Sequence, residues 1–197
     1  MTLTLISTHT VPDDYSGTTA AIEILTGITS AYDEYQFHFY NLCPVNDGVD
    51  WQFQVDTGTN TNWNMYITSV AWQAWHKEEA SGDSDDAQVM DHNSTDIQGN
   101  ADQVYQNLTG TVGSDSYEAL SGVMSLFAPA STAFLKQFNS RISTREEDYA
   151  RDFWRSGMIG TAGYTVGSGE TTAITRIRFR FESCNIDTGV VKMFGVK

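Results

Sequence analysis

The stretch AITRIRFRF, Ala173 to Phe181, followed after a short connection by GVVKMFGVK, Gly189 to Lys197, decides the fold. In the first run Ile177, Phe179 and Phe181 alternate with Arg176, Arg178 and Arg180, the period-two pattern of a strand with one apolar and one polar face. The connection Glu182 to Thr188 holds Asn185 and Asp187 and leads into Gly189, residues that bond their own backbone or accept positive φ, so it reads as a turn. The expectation is two paired strands, a terminal hairpin serving as the hub of a β domain.

Working outward, the same alternation recurs along the chain. Leu3, Leu5 and Ser7 alternate with threonines in an opening strand, broken by Val11 to Gly17; Ala20 to Leu25 forms a second. Tyr35, Phe37 and Phe39 alternate with Gln36, His38 and Tyr40, and after Asn41 to Gly48 the run Trp51, Phe53 and Val55 alternates with Gln52 and Gln54, which predicts a hairpin over residues 33–56. Trp63, Met65 and Ile67 open a strand running towards Trp72 and Trp75. Residues 76–100 are different: they are acidic, poor in large apolar side chains and aperiodic, so they read as a long loop, a feature usually tied to function or an interface. Beyond them, Val104 to Leu108, Val123 to Phe127, Ala133 to Ile142 and Tyr149 to Ile159 read as strands, and Ser143 to Asp148 and Gly160 to Gly169 as loops. About ten short strands with turn punctuation and no long amphipathic helix predict an all-β, antiparallel two-sheet β-sandwich, jelly-roll-like. The chain is expected to form one compact domain, with residues 1–30 as N-terminal strands and docking segment and 31–197 as the sandwich proper.

The 197 residues carry a net charge of −14 and a pI near 4.4, which disfavours nucleic acid as a partner because phosphate binding needs clustered Lys and Arg. The charge is uneven: residues 1–135 hold one base, Lys77, against 18 acids, while 136–197 hold ten bases against seven acids. Either this is a solvated acidic face, or oppositely charged surfaces meet in an assembly, which would then weaken at high salt. Cys43 and Cys184 lack metal-ligand spacing and are expected as buried thiols. MTLTLISTHT has too short an apolar run and no basic leader for a signal peptide, and no run of about eighteen apolar residues suggests a membrane span.

Chemistry-bearing patterns are few. Asp83, Asp85 and Asp86 gather the oxygen ligands a Ca²⁺ ion requires, but without the spacing of an EF-hand loop, so a solvated acidic loop is the simpler reading. His9, His38, His76 and His92 are scattered, and no G-x-S-x-G elbow is present, so no enzyme and no cofactor are expected. Of the five tryptophans, Trp51 and Trp63 read as core; Trp72 and Trp75, bordering the acidic stretch, could offer flat faces to a glycan. The row Arg176, Arg178 and Arg180, with Arg151 and Arg155, either pairs with carboxylates of its own subunit or contacts another copy, since a guanidinium fork suits interface ion pairs.

Three stretches taken together carry a resemblance: YDEYQFHFYNLCPVNDGVDWQFQV, LSGVMSLFAPASTAFLKQFNSRIS and ITRIRFRFESCNIDTGVVKMFGVK. They resemble a β-rich domain of structural proteins of tailed bacteriophages, with Phe37 to Asn41, Ser121 to Pro129 and Ser183 to Gly195 at the recurring motifs and Cys184 where that family usually has Gly. The resemblance implies a non-enzymatic virion protein, a multimeric capsid-decoration or tail-appendage component on the particle surface. Its implied partners are other virion proteins and further copies of itself, while charge and the lack of a long apolar run disfavour nucleic acid and membrane. The alternative it leaves open is a receptor-binding tail fibre or tailspike module recognising a host-surface glycan.

Overall fold

The computed structural model describes residues 2–12, 17–58, 62–77, 87–91 (backbone only), 105–147, 149–160 and 171–197. They form twelve strands: β1 (Leu3–Val11), β2 (Ile22–Ile24), β3 (Glu34–Pro44), β4 (Val49–Asp56), β5 (Ile67–Lys77), β6 (Ala87–Asp91), β7 (Gln106–Val112), β8 (Leu120–Phe127), β9 (Lys136–Glu146), β10 (Tyr149–Ile159), β11 (Arg176–Phe181) and β12 (Ile186–Val196). All pair antiparallel, in an eight-stranded sheet ordered β1-β12-β3-β8-β9-β10-β5-β6 and a four-stranded sheet ordered β2-β11-β4-β7. The protein is an all-β two-sheet sandwich, as the alternating pattern predicts.

The core lies between the sheets, where the apolar faces of β3, β8, β9 and β12 meet those of β4 and β11. Phe179 sits at its centre, with ring centroids 5.3 Å from Phe37, 5.1 Å from Phe39 and 6.0 Å from Trp51. Trp51 also meets Phe39 and Phe181, and Phe53 stands edge-on to Phe138 across the layers. Offset and edge-on arrangements of this kind favour the ring quadrupoles beyond the area they bury. A polar bridge also crosses the layers: the buried Ser69 hydroxyl donates to Gln106 Oε1 at 2.9 Å.

Two expected hairpins are not hairpins. β11 belongs to the smaller sheet, between β2 and β4, while β12 belongs to the larger, between β1 and β3. Likewise β3 and β4 lie in different layers, so residues 33–56 do not pair with each other. Alternation reports that a strand has one buried face, and both members of each pair do; it is silent on which sheet supplies the hydrogen-bonding neighbours. The connection Glu182 to Asn185 therefore spans from one layer to the other. It is held by Glu182 N–H to Asp50 O, Val45 N–H to Asn185 O and the Asn185 side-chain amide to Gly17 O.

Boundaries moved for related reasons. The opening strand runs on to Val11, and Ser143 to Glu146, read as a loop, continue β9 opposite β10. Polar residues there occupy the solvent face while Ile142 and Thr144 stay buried, a division that an antiparallel sheet accepts. Trp63 does not open a strand: its φ is +51°, and β5 begins at Ile67. Within 76–100, expected to be loop, Lys77 ends β5 and Ala87–Asp91 forms β6 beside it. The remaining residues of that stretch, with Asp83, Asp85, Asp86 and His92, lie outside the described residues, as do Val104 and 161–170 of the glycine-rich loop. β1 and β2, from the N-terminal segment, are integral strands of the two sheets. Cys43 is buried and Cys184 half-buried, both as free thiols.

Candidate functional site

The residues that carry the resemblance converge in space. Asn41 takes a left-handed conformation, φ +46°, where the register of β3 against β8 shifts between Phe39 and Leu42. Its backbone N–H donates to Ser121 Oγ at 3.0 Å, and the Ser121 hydroxyl donates to Asn41 Oδ1 at 3.3 Å. From the other side β12 passes with Gly189 at φ +130°; a Cβ there would stand 2.7 Å from Leu42 Cα and 2.9 Å from Asn41 O. One residue from each of the three motifs thus builds a single bulge. Gly122 and Gly195 are constrained in the same way, since a Cβ would collide with the Arg141–Ile142 backbone or the Tyr32 ring. These motif positions shape backbone and packing rather than present reactive groups.

The arginine row lies on the outward face of the smaller sheet and is half-buried. Arg176 stands 4.0 Å from Asp56, Arg178 Nε 3.4 Å from Glu23, and Arg180 stacks 3.9 Å from the Tyr105 ring centroid. Tyr105 is buried, and its phenol pKa is pushed up, first by burial, against the opposing pull of Arg178 and Arg180. These contacts are the intrachain partners that one of the two readings of the row requires. The basic half as a whole behaves alike. Arg141 bonds Asp152 and lies over Trp154, Arg145 lies over Tyr117, Lys192 over Tyr40, Lys197 over Tyr32, and buried Lys136 donates to the Thr171 and Thr172 carbonyls at 2.6 Å. Arg155 is buried. The positive surplus of the last third is largely spent inside the subunit.

Trp72 and Trp75 do not share a platform. Three residues apart on one strand, they fall on opposite sheet faces. Trp72 sits outward beside its register partner Trp154, 38% exposed, with Val70 and Met158 also exposed on that face. Trp75 has the parity of buried Ala71 and Ser69 and so faces the side of the smaller sheet. There it is the register partner of Arg151. Gln73, Trp75, Tyr149 and Arg151 together line a hollow of about 310 Å³. Arg151 is fixed in it by Glu146 at 2.7 Å and Thr111 Oγ1 at 2.7 Å, and Thr111 in turn donates to Glu146 at 2.6 Å. An aromatic wall, an amide and a locked guanidinium make this the described site best suited to a polar ring-shaped ligand. Sequence reading missed Gln73 and Tyr149 because nothing in the sequence pairs β5 with β10.

On the outward face of the larger sheet His38 lies between Gln36 Oε1 and Tyr40 OH, 4.7 Å from the Phe194 ring. Burial, then the neighbouring Lys192 charge, lowers its pKa below the usual histidine value. Trp51 and Trp63 are both buried, though Trp63 lies outside the main apolar cluster. Among the described residues no group of three or more His, Cys, Asp or Glu is placed to hold a metal ion, and no helix is long and apolar enough to cross a membrane. No protein-family model matches the chain, and neither the curated proteins nor the solved structures contain a match to it.

Proposed function

We propose that the protein is a non-enzymatic structural component of a tailed-bacteriophage particle, a multimeric capsid-decoration or tail-appendage protein. Strand order carries the reading. The orders β1-β12-β3-β8 and β2-β11-β4-β7 fit the two four-stranded layers expected of a jelly roll, with the β9–β10 and β5–β6 pairs read as additions that widen one layer. That architecture recurs in viral capsid and lectin domains, a likeness of fold that argues for a class and not for chemistry. The sequence resemblance points the same way, and its motif residues meet in one structural bulge. Localising the chain in purified particles by cryo-electron microscopy tests the proposal. Density repeating over the capsid lattice or confined to the tail is the expected result, and absence from the particle rejects it.

A second reading, recognition of a cell-surface glycan, is favoured by one observation, the hollow of Gln73, Trp75, Tyr149 and Arg151. It gives tryptophan roles that differ by face. Trp75→Ala is expected to lower glycan affinity by about tenfold or more, from loss of a stacked ring, whereas Trp72→Ala leaves it within about twofold. Equal losses in both variants, or silence of the unmodified protein on a broad glycan array, count against it.

A further inference from the structure

The larger sheet ends in an open edge. β1 pairs with β12 on one side, and its other backbone edge has no partner among the described residues. It is nine residues long, has no proline inside it, and Leu3 and Leu5 are 46% and 53% exposed. Proteins blunt such edges with lysines, prolines, covering loops or bulges, because a row of free N–H and C=O groups templates another strand. Among the described residues β1 carries only the last device, an irregularity between Leu5 and Ser7.

Charge selects the occupant. The chain carries −14, so two copies repel each other over most of their surface, yet residues 1–12 contain no Asp, Glu, Lys or Arg. The β1 edge is where two copies of an acidic molecule approach at least electrostatic cost. Identical strands pair antiparallel about a two-fold axis, which satisfies both edges at once and needs no further partner.

We propose that β1 is a homotypic docking edge: two copies pair through β1 and join their eight-stranded sheets into one continuous sheet. The inference rests on the multimeric part of the reading above by naming the contact. Sedimentation of the purified chain over a concentration series, with Leu5→Lys as the variant, tests it. Self-association is expected, weakened about tenfold or more by a lysine from each copy placed in the apolar joint, with an unchanged melting temperature at dilutions where both proteins are monomeric. Hydrogen exchange on the unmodified chain provides a readout that survives misfolding of the variant: β1 amides are to gain protection as concentration rises. A chain that stays monomeric throughout overturns the proposal, and the multimeric part of the proposed function with it. Association that ignores Leu5→Lys and leaves β1 exchange unchanged overturns it too, while leaving a multimeric role through another surface intact.

Discussion

Phe179→Ala is expected to lower the unfolding free energy by about 3–5 kcal/mol, the range for deleting a large buried ring. The side chain is fully buried and touches Phe37 and Phe39 from one sheet and stacks with Trp51 of its own. Its removal takes away the contact between layers as well as the transferred area, and three surrounding rings anchored on rigid strands are poorly able to close the cavity. Against a typical stability of about 5–15 kcal/mol this leaves a marginal fold. Phe134→Ala is the matched control, since Phe134 is 76% exposed, and is expected to change stability by no more than about 0.5 kcal/mol. Urea unfolding of both variants checks the pair, and similar midpoints would refute the placement of Phe179 at the centre of the core.

Gly189→Ala is the second large effect, about 2–6 kcal/mol, from two terms that a comparison separates. At φ +130° a side chain is strained, which costs about 1–3 kcal/mol. The new methyl would also stand 2.7 Å from Leu42 Cα and 2.9 Å from Asn41 O, both backbone atoms of an interior strand, an overpacking of about 1–3 kcal/mol. Gly48 has a positive φ of +69° too, but a Cβ there meets only Glu146 Oε1 at 3.6 Å, ordinary contact. Gly48→Ala should therefore show the conformational term alone, about 1 kcal/mol. If the two substitutions cost the same in chemical denaturation, the tight bulge between β3 and β12 is not formed as described.

Fold class was legible because period-two alternation is a local signal, and Phe37, Phe39, Trp51, Phe53, Ile177 and Phe179 all proved to be core residues. Connectivity was not legible. Val45 to Gly48 and Glu182 to Asn185 have the composition of hairpin turns, and both instead carry the chain from one sheet to the other. The turn chemistry is the same for a tight return and for a step between layers, and only non-local pairing distinguishes them. The candidate site was half visible for the same reason. Trp75 and Arg151 were singled out separately, for different roles, and the register of β5 against β10 puts them side by side. The reading of Trp72 with Trp75 failed on simple geometry, an odd spacing on one strand. The arginine row was seen, but its partners Glu23, Asp56 and Tyr105 come from three other segments that no local pattern ties to it.

The pairing of the chain's two ends carries a kinetic consequence. Among the described residues β1 has β12 as its only sheet neighbour, and β2 has only β11, so the first two strands of the sandwich wait for its last two. Leu3 must find Val196, and Ile24 must find Ile177. Closing such long loops before any contact rewards them places the sandwich among slow, millisecond-to-second folders. During synthesis β3 and β4 also stay incomplete until β12 and β11 emerge, exposing unpaired strand edges in a crowded setting. The fold therefore closes as a clasp rather than growing from one end, and its vulnerable period is the interval before its final strands arrive.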